Sequence, residues 1–235
     1  MSELREQLAQ TIPYQGRKAS RVGSEQRRRA ILEAALNIVI KEGVRGVRHR
    51  AIAKAANVPL SATTYYFKDI NDLISDTFSY FVELGNARLS NFWIEAEIAI
   101  RQQLSQSESV DTTKRRLLKH FTELAVSYIE QQVTDRRDEL IAEQAFLLEA
   151  LRSSHLRQLV HVHHQNLLKD LTRFYQLLGT TKPELDAVLT KAVVVEAEYY
   201  CLLDPSRYGR EYIRAFLQRH IQLVLQIPDD EEVVN

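Results

Sequence analysis

The chain has 235 residues, 45% apolar and 26% charged, with a formal net charge of zero; this is enough apolar material for a sizeable core and leaves one or two domains open. Seven Gly and five Pro argue against a collagen-like, linker-dominated or turn-rich all-β chain, and the single cysteine, Cys201, excludes an intrachain disulfide framework and a zinc site drawing two or more Cys from one chain. No apolar run approaches the ~18 residues of a membrane span, and Met1 to Gln10 carries Glu3, Arg5 and Glu6 rather than a signal-peptide core, so the expectation is a cytoplasmic protein with no membrane partner.

The zero net charge hides an asymmetry. Up to residue 70 there are 13 Lys+Arg against 6 Asp+Glu; beyond it there are 18 against 25. A basic N-terminal third on an acidic body points to an anionic partner at one end, with lipid and nucleic acid both open at this stage.

In chain order, residues 1–23 read as a flexible basic arm, with Pro13, Gly16 and Gly23 among Arg17, Lys18, Ser20 and Arg21. Ser24 is a plausible N-cap. Ile31, Leu32, Ala35, Ile38 and Val39 then recur at helical spacing, and Gly43 suits a left-handed C′ position, which predicts a first helix over about 24–42. A short helix is predicted over 48–56, with Arg48 and Arg50 near its start. Asn57-Val58-Pro59 interrupts it, and a third helix follows at roughly 60–67. Asp69, with Asp72 three positions on, caps a fourth carrying Leu73, Ile74, Phe78, Phe81 and Val82. Further helices are predicted over 86–104, 112–132, 136–152, 155–178, 183–203 and 207–226, and 229–235 is an acidic tail. No alternating strand pattern, fixed-period repeat or low-complexity segment is visible.

Two short helices joined by a tight turn form a helix-turn-helix signature. Ala53, Ala55 and Ala56 allow a close helix crossing, while Val58 and Phe67 can anchor the second helix on the core. Ser61, Thr63, Thr64, Tyr65 and Tyr66 supply hydrogen-bonding groups for base edges, and either tyrosine could instead pack inward. Arg48, Arg50 and Lys68 are candidates for phosphate contacts. Arg17, Lys18 and Arg21 could enter an adjacent minor groove or merely raise the local positive charge. Arg27, Arg28 and Arg29 oppose the dipole of the first helix, a modest hint of a phosphate partner.

The stretches AILEAALNIVIKEG (30–43), RAIAKAANV (50–58) and TTYYFKDINDLI (63–74) resemble the TetR family of bacterial transcriptional regulators. Asn57 stands where that family's turn usually has Gly, Pro59 where a Ser/Thr cap is common, and Thr64 where Tyr is more frequent. The resemblance implies an all-α protein: a three-helix DNA-binding head over 24–70, then a larger helical domain over 71–228 that binds an effector and dimerises. It implies a ligand-responsive repressor whose effector favours a dimer with mismatched head spacing, releasing a double-stranded DNA operator. Activation, or DNA binding without an effector, are variants within this reading.

An effector pocket is expected between 86 and 178, with Phe92, Trp93, Phe121, Tyr128 and Phe146 as wall candidates; their type weakly favours an apolar or amphipathic ligand. The homodimer face is expected within 183–226, from Val193, Val194, Ala197 and Tyr200 on one helix and Ile213, Phe216, Leu217, Ile221 and Val224 on the next, with some of that surface serving the protomer's own core. The competing class is a helical metal-binding enzyme. His161, His163 and His164, with Glu149 and His155 upstream, are its only support; 161 and 164 share a helix face while 163 points elsewhere, without a third ligand on that face. The expectation is therefore a non-enzyme with no catalytic residue, metal or cofactor, and with Cys201 as a buried small residue.

Overall fold

The computed structural model describes residues 12–17, 22–104 and 109–228. Among these, regular structure is entirely helical: α1 (Val22–Glu42), a 3-10 turn (Val44–Gly46), α2 (His49–Ala55), α3 (Leu60–Tyr66), α4 (Ile70–Leu104), α5 (Val110–Asp135), α6 (Arg137–Ala150), α7 (Ser154–Leu178), α8 (Pro183–Leu203) and α9 (Arg210–Val224). The all-α expectation is met. The chain forms two compact units, one of residues 1–90 and 138–166, the other of 91–137 and 167–235. These boundaries differ from the expected division at residue 70, because α4 and α7 each contribute residues to both units.

In the first unit α1 buries Ile31, Leu32, Ala35, Ile38 and Val39, the stripe its sequence predicts. Gly43 ends the helix at φ 75°, a left-handed conformation that costs glycine no Cβ clash. Asn57 takes the same region at φ 52° in the α2–α3 turn, which a short polar side chain tolerates, and the Val58 N–H closes that turn onto the Ala53 carbonyl at 3.0 Å. Asp69 Oδ1 accepts from the N–H groups of Asn71 and Asp72 at 2.8 and 3.0 Å, capping α4 as predicted. Those two bonds, the Asp72 one foremost, hold its carboxyl below the usual carboxylate range, and Lys68 adds to the effect.

The break expected near residue 85 is absent: α4 runs unbroken through Gly85. A single interior glycine costs a helix only about 1 kcal/mol, and buried residues on both sides of it, Val82 and Ala96, outweigh that. Phe78, Phe81 and Phe146 pack together, with centroids 5.2–6.1 Å apart, in a core that also holds Ile52, Phe67 and Leu73.

The second unit has two apolar clusters. One joins Ala96, Ile100, Leu117 and Phe121 to Leu225 and Ile227; the other joins Val126 and Ile129 to Ala197, Cys201, Ile213 and Leu217. Ala197, Ile213 and Leu217, expected on a dimer face, thus fill the protomer's own core. α8 instead exposes Leu185, Val188, Leu189, Ala192, Tyr199 and Leu203, and α9 exposes Leu223. Cys201 is buried, donates to the Tyr208 carbonyl and has its thiol pushed up by burial, which leaves it a poor nucleophile.

Candidate nucleic-acid interface

Helical spacing divides the short helix α3 into two faces. Ser61, Thr64 and Tyr65 are exposed, whereas Thr63, Tyr66 and the following Phe67 are buried. Two site expectations are corrected by this division. Thr63 is not available to a base: its Oγ1 donates to the Leu60 carbonyl at 2.8 Å and meets His49 Nδ1 at 3.1 Å. Tyr66 is the inward tyrosine, with its hydroxyl 2.8 Å from Ser24 Oγ. Tyr65, 54% exposed, is the outward one.

Exposed cations lie at the start of α2, where His49 meets Thr63, and just after α3. Arg48 precedes α2 with extended backbone, φ −141°, and Arg50 lies in the first turn. Both are exposed, as is Lys68 just after α3, and the described residues form no ion pair with any of the three. By contrast Arg28, in the triplet that opens α1, is buried and engaged within the fold: it donates to Asp76 Oδ2 at 2.9 Å and lies 4.2 Å from the Tyr14 ring centroid. Arg29 pairs with Glu83. The hint that these two serve a phosphate is therefore corrected; Arg28 neutralises a buried carboxylate and Arg29 pairs with one at the surface.

The expected flexible arm is also corrected over 12–17. Ile12 is buried in the first unit's core. Tyr14 donates to Glu83 at 2.5 Å, and burial first, then that bond, pushes its hydroxyl pKa upward. The N–H groups of Gln15 and Gly16 donate to the buried Asp76 carboxylate at 2.6 and 3.0 Å, and the Arg17 N–H donates to the Tyr66 carbonyl at the end of α3. A Cβ at Gly16 would stand 2.7 Å from Asp76 Oδ2, so the strap needs glycine there. Its outcome is to place the Arg17 guanidinium 4.5 Å over the Tyr65 ring, where a cation–π contact joins the two side chains. Lys18 and Arg21 lie outside the described residues.

Asp76 and Gly16 were missed in the sequence. The available signal was an aspartate three residues after Leu73, on the apolar face of the α4 sequence: a buried carboxylate requires a cation.

The other expected residues fall in several places. Phe92, Trp93, Phe121 and Tyr128 gather in the second unit around Phe174, with neighbouring centroids 4.9–5.7 Å apart. The Trp93 indole N–H there is buried without an acceptor. Phe146 is corrected: it is fully buried against Phe78 in the core of the first unit, whereas that cluster belongs to the second. His163 packs edge-on to Phe78. Among the described residues no group of three His, Cys, Asp or Glu could hold a metal ion, and no helix is long and apolar enough to cross a membrane.

No family model matches the chain. The HTH-type transcriptional regulator PksA of Bacillus subtilis (strain 168) is 21% identical over 211 residues, which are 86% of this chain and 92% of that protein. A transcriptional regulator from Rhodococcus sp. Rha1 superposes with a TM-score of 0.59 at 19% identity, over 84% of this chain and 95% of the other. A TetR-family member from Streptomyces coelicolor A3 gives 0.53 at 22%, covering 83% and 98%. The multidrug binding protein EbrR, complexed with proflavin, gives 0.50 at 26%, covering 83% and 99%. The fold and the helix-turn-helix head define a class, the all-α DNA-binding regulators. The chain thus shares its fold with solved structures of the TetR family and resembles in sequence a curated HTH-type transcriptional regulator.

Proposed function

We propose that this chain is a TetR-type regulator: a dimeric, cytoplasmic repressor that reads operator DNA with the exposed face of α3, leaves it when a small effector binds, and has no catalytic role. The observation that carries the DNA-reading part is the placement of Ser61, Thr64 and Tyr65 on one exposed face, with Arg48, Arg50 and Lys68 exposed nearby in the chain and in no ion pair among the described residues. In this reading Ser61, Thr64 and Tyr65 meet base edges, Arg48, Arg50 and Lys68 meet phosphates, and Arg17 reaches the duplex beside Tyr65. Lys18 and Arg21, which follow in the sequence, add positive charge to the same end of the chain.

The effector reading is supported by the aromatic cluster around Trp93, whose buried N–H has no acceptor. An amphipathic, acceptor-bearing aromatic ligand fits that chemistry, and the proflavin complex of EbrR favours the same class. The dimer reading is supported by the apolar stripe of α8, where Leu185, Val188, Leu189, Ala192, Tyr199 and Leu203 stay exposed at i, i+3, i+4, i+7 spacing.

Sedimentation equilibrium tests the dimer. The wild type is expected as a dimer and the Leu185→Glu/Leu189→Glu double variant as a folded monomer; a monomeric wild type would overturn it. A screen for compounds that release the protein from bound operator tests the effector. Compounds that act on the wild type and fail on Trp93→Phe support the site, whereas equal release from both would place it elsewhere.

A further inference from the structure

Burial alternates along the strap that precedes α1. Ile12 is buried and Tyr14 and Gly16 are half-buried, whereas Pro13, Gln15 and Arg17 are exposed. An extended chain turns successive side chains to opposite sides, so with Ile12 in the core and Gly16 against Asp76 the Arg17 side chain points away from the fold. Three backbone bonds fix where it emerges. The Gln15 and Gly16 N–H groups donate to one oxygen each of the Asp76 carboxylate, and the Arg17 N–H donates to the Tyr66 carbonyl at 2.9 Å. Asp76 is fully buried on α4 and also accepts from Arg28 Nη2. The Arg17 guanidinium is thereby held 4.5 Å over the Tyr65 ring, exposed and in no ion pair among the described residues.

A cation–π contact between exposed side chains is weak and does not by itself hold a long arginine still against its rotamer entropy. A pinned backbone removes part of the freedom that the contact has to overcome. An arm that only adds positive charge needs no such anchor, because counterion release depends on the number of phosphates neutralised, whereas readout of base edges depends on position. We propose that Arg17 is a specificity-determining residue of the α3 face, that Arg17 and Tyr65 meet the operator as one stacked unit, and that Gly16, seated on Asp76, is the positioning residue that acts through Arg17. The strap is in this way part of the reader and not a free basic arm. This rests on the DNA-reading role of α3 proposed above.

The test separates position from charge. Gly16→Ala keeps every charge and lifts the strap, because the new Cβ would meet Asp76 Oδ2 at 2.7 Å and the Tyr66 carbonyl oxygen at 3.0 Å. The probe is the genomic fragment that the full-length wild type selects most tightly, with its scrambled sequence as control. In anisotropy titrations Gly16→Ala is expected to bind the selected fragment roughly tenfold more weakly, within the range of one base contact, and to bind scrambled DNA as the wild type does, with the same salt slope. Arg17→Lys leaves the strap bonds and the charge in place but replaces the flat guanidinium by an ammonium. It is expected to cost about fivefold on the selected fragment, the worth of the stacked contact, and it keeps the test alive should Gly16→Ala fail to fold. The Gly16→Ala/Arg17→Ala double variant is expected to bind no more weakly than Arg17→Ala alone; a further loss would mean that Gly16 acts through the packing of α3 and would overturn its positioning role. If Gly16→Ala and Arg17→Lys both discriminate as the wild type does, Arg17 is added charge only, and the proposal falls while the DNA-reading role stands. A wild type that selects no fragment defeats that role and the proposal together.

Discussion

The cations around α3 differ from the arginines that the rest of the described fold holds in ion pairs, in the first unit (Arg29–Glu83, Arg45–Glu149, Arg88–Glu139) as in the second. In the second unit Arg101 and Arg173 pair with Glu97, Arg210 with Glu123 and Glu130, and Arg214 with Glu123 and Glu211. In the first unit the buried cation, Arg28, is neutralised by Asp76, yet Arg48, Arg50 and Lys68 around α3 are left facing solvent. Cations held in ion pairs have little left to offer a polyanion, whereas free ones release counterions when phosphates replace them. The contrast turns the charge asymmetry of the sequence into a located surface. It also separates charge that holds the fold from charge that serves a partner.

The largest expected effect comes from the buried pair. Asp76→Ala strands the Arg28 guanidinium and removes the acceptor for two strap N–H groups, so a loss of about 3–5 kcal/mol is expected, read by chemical denaturation; a loss within ~1 kcal/mol would show that the pair is not what anchors the strap. Next is the α3 face. Tyr65→Ala or Thr64→Ala should weaken specific DNA binding by ~1–3 kcal/mol and relax sequence preference. An equal loss on random DNA would remove them from base contact.

Lys68→Ala or Arg50→Ala should weaken binding to all sequences and lower the salt slope by about one unit; an unchanged slope would contradict a phosphate contact. Burial pushes the Asp170 carboxyl up to about 6 from 3.8, against the opposing pull of Lys169 and Arg173. The folded chain therefore holds a proton that the unfolded chain releases. Stability present below pH ~4 is lost as the pH rises through about 6. Asp170→Asn should raise the melting temperature at pH 7–8 and change it little at pH 4; the reverse pattern would refute the shift. The smallest effect is expected at the exposed pairs of the second unit, where Arg210→Ala should cost within about 1 kcal/mol.

The sequence made the head legible because its rules are local. Periodicity located the buried stripe of α1, Asp69 announced the start of α4, and the small residues of α2 with the Asn57 turn announced the helix pair. Which side of α3 faces out was not legible: Thr63 and Thr64 look alike until the Ser24 and His49 partners fix the helix rotation. Residues 12–17 looked like a free arm because polar and glycine-rich composition says nothing of a carboxylate 60 positions on that binds the backbone. In the second unit, apolar residues of α8 and α9 could be assigned to a bundle, but not divided between core and open surface. Ala197 and Leu189 are both apolar positions of α8, and only tertiary packing buries the first and exposes the second.

The most direct test of the central claim is fluorescence-anisotropy binding to the DNA upstream of the chain's own gene, against scrambled DNA, at two salt concentrations. The account predicts an affinity at least ~10³ tighter than for scrambled DNA, steep salt dependence, and loss of that discrimination in Tyr65→Ala. If scrambled DNA binds as tightly, selection of bound fragments from the whole genome decides whether another sequence is the operator. Finding no preferred sequence there, or no binding even at low salt, would contradict the reading of α3 as a DNA-recognition surface.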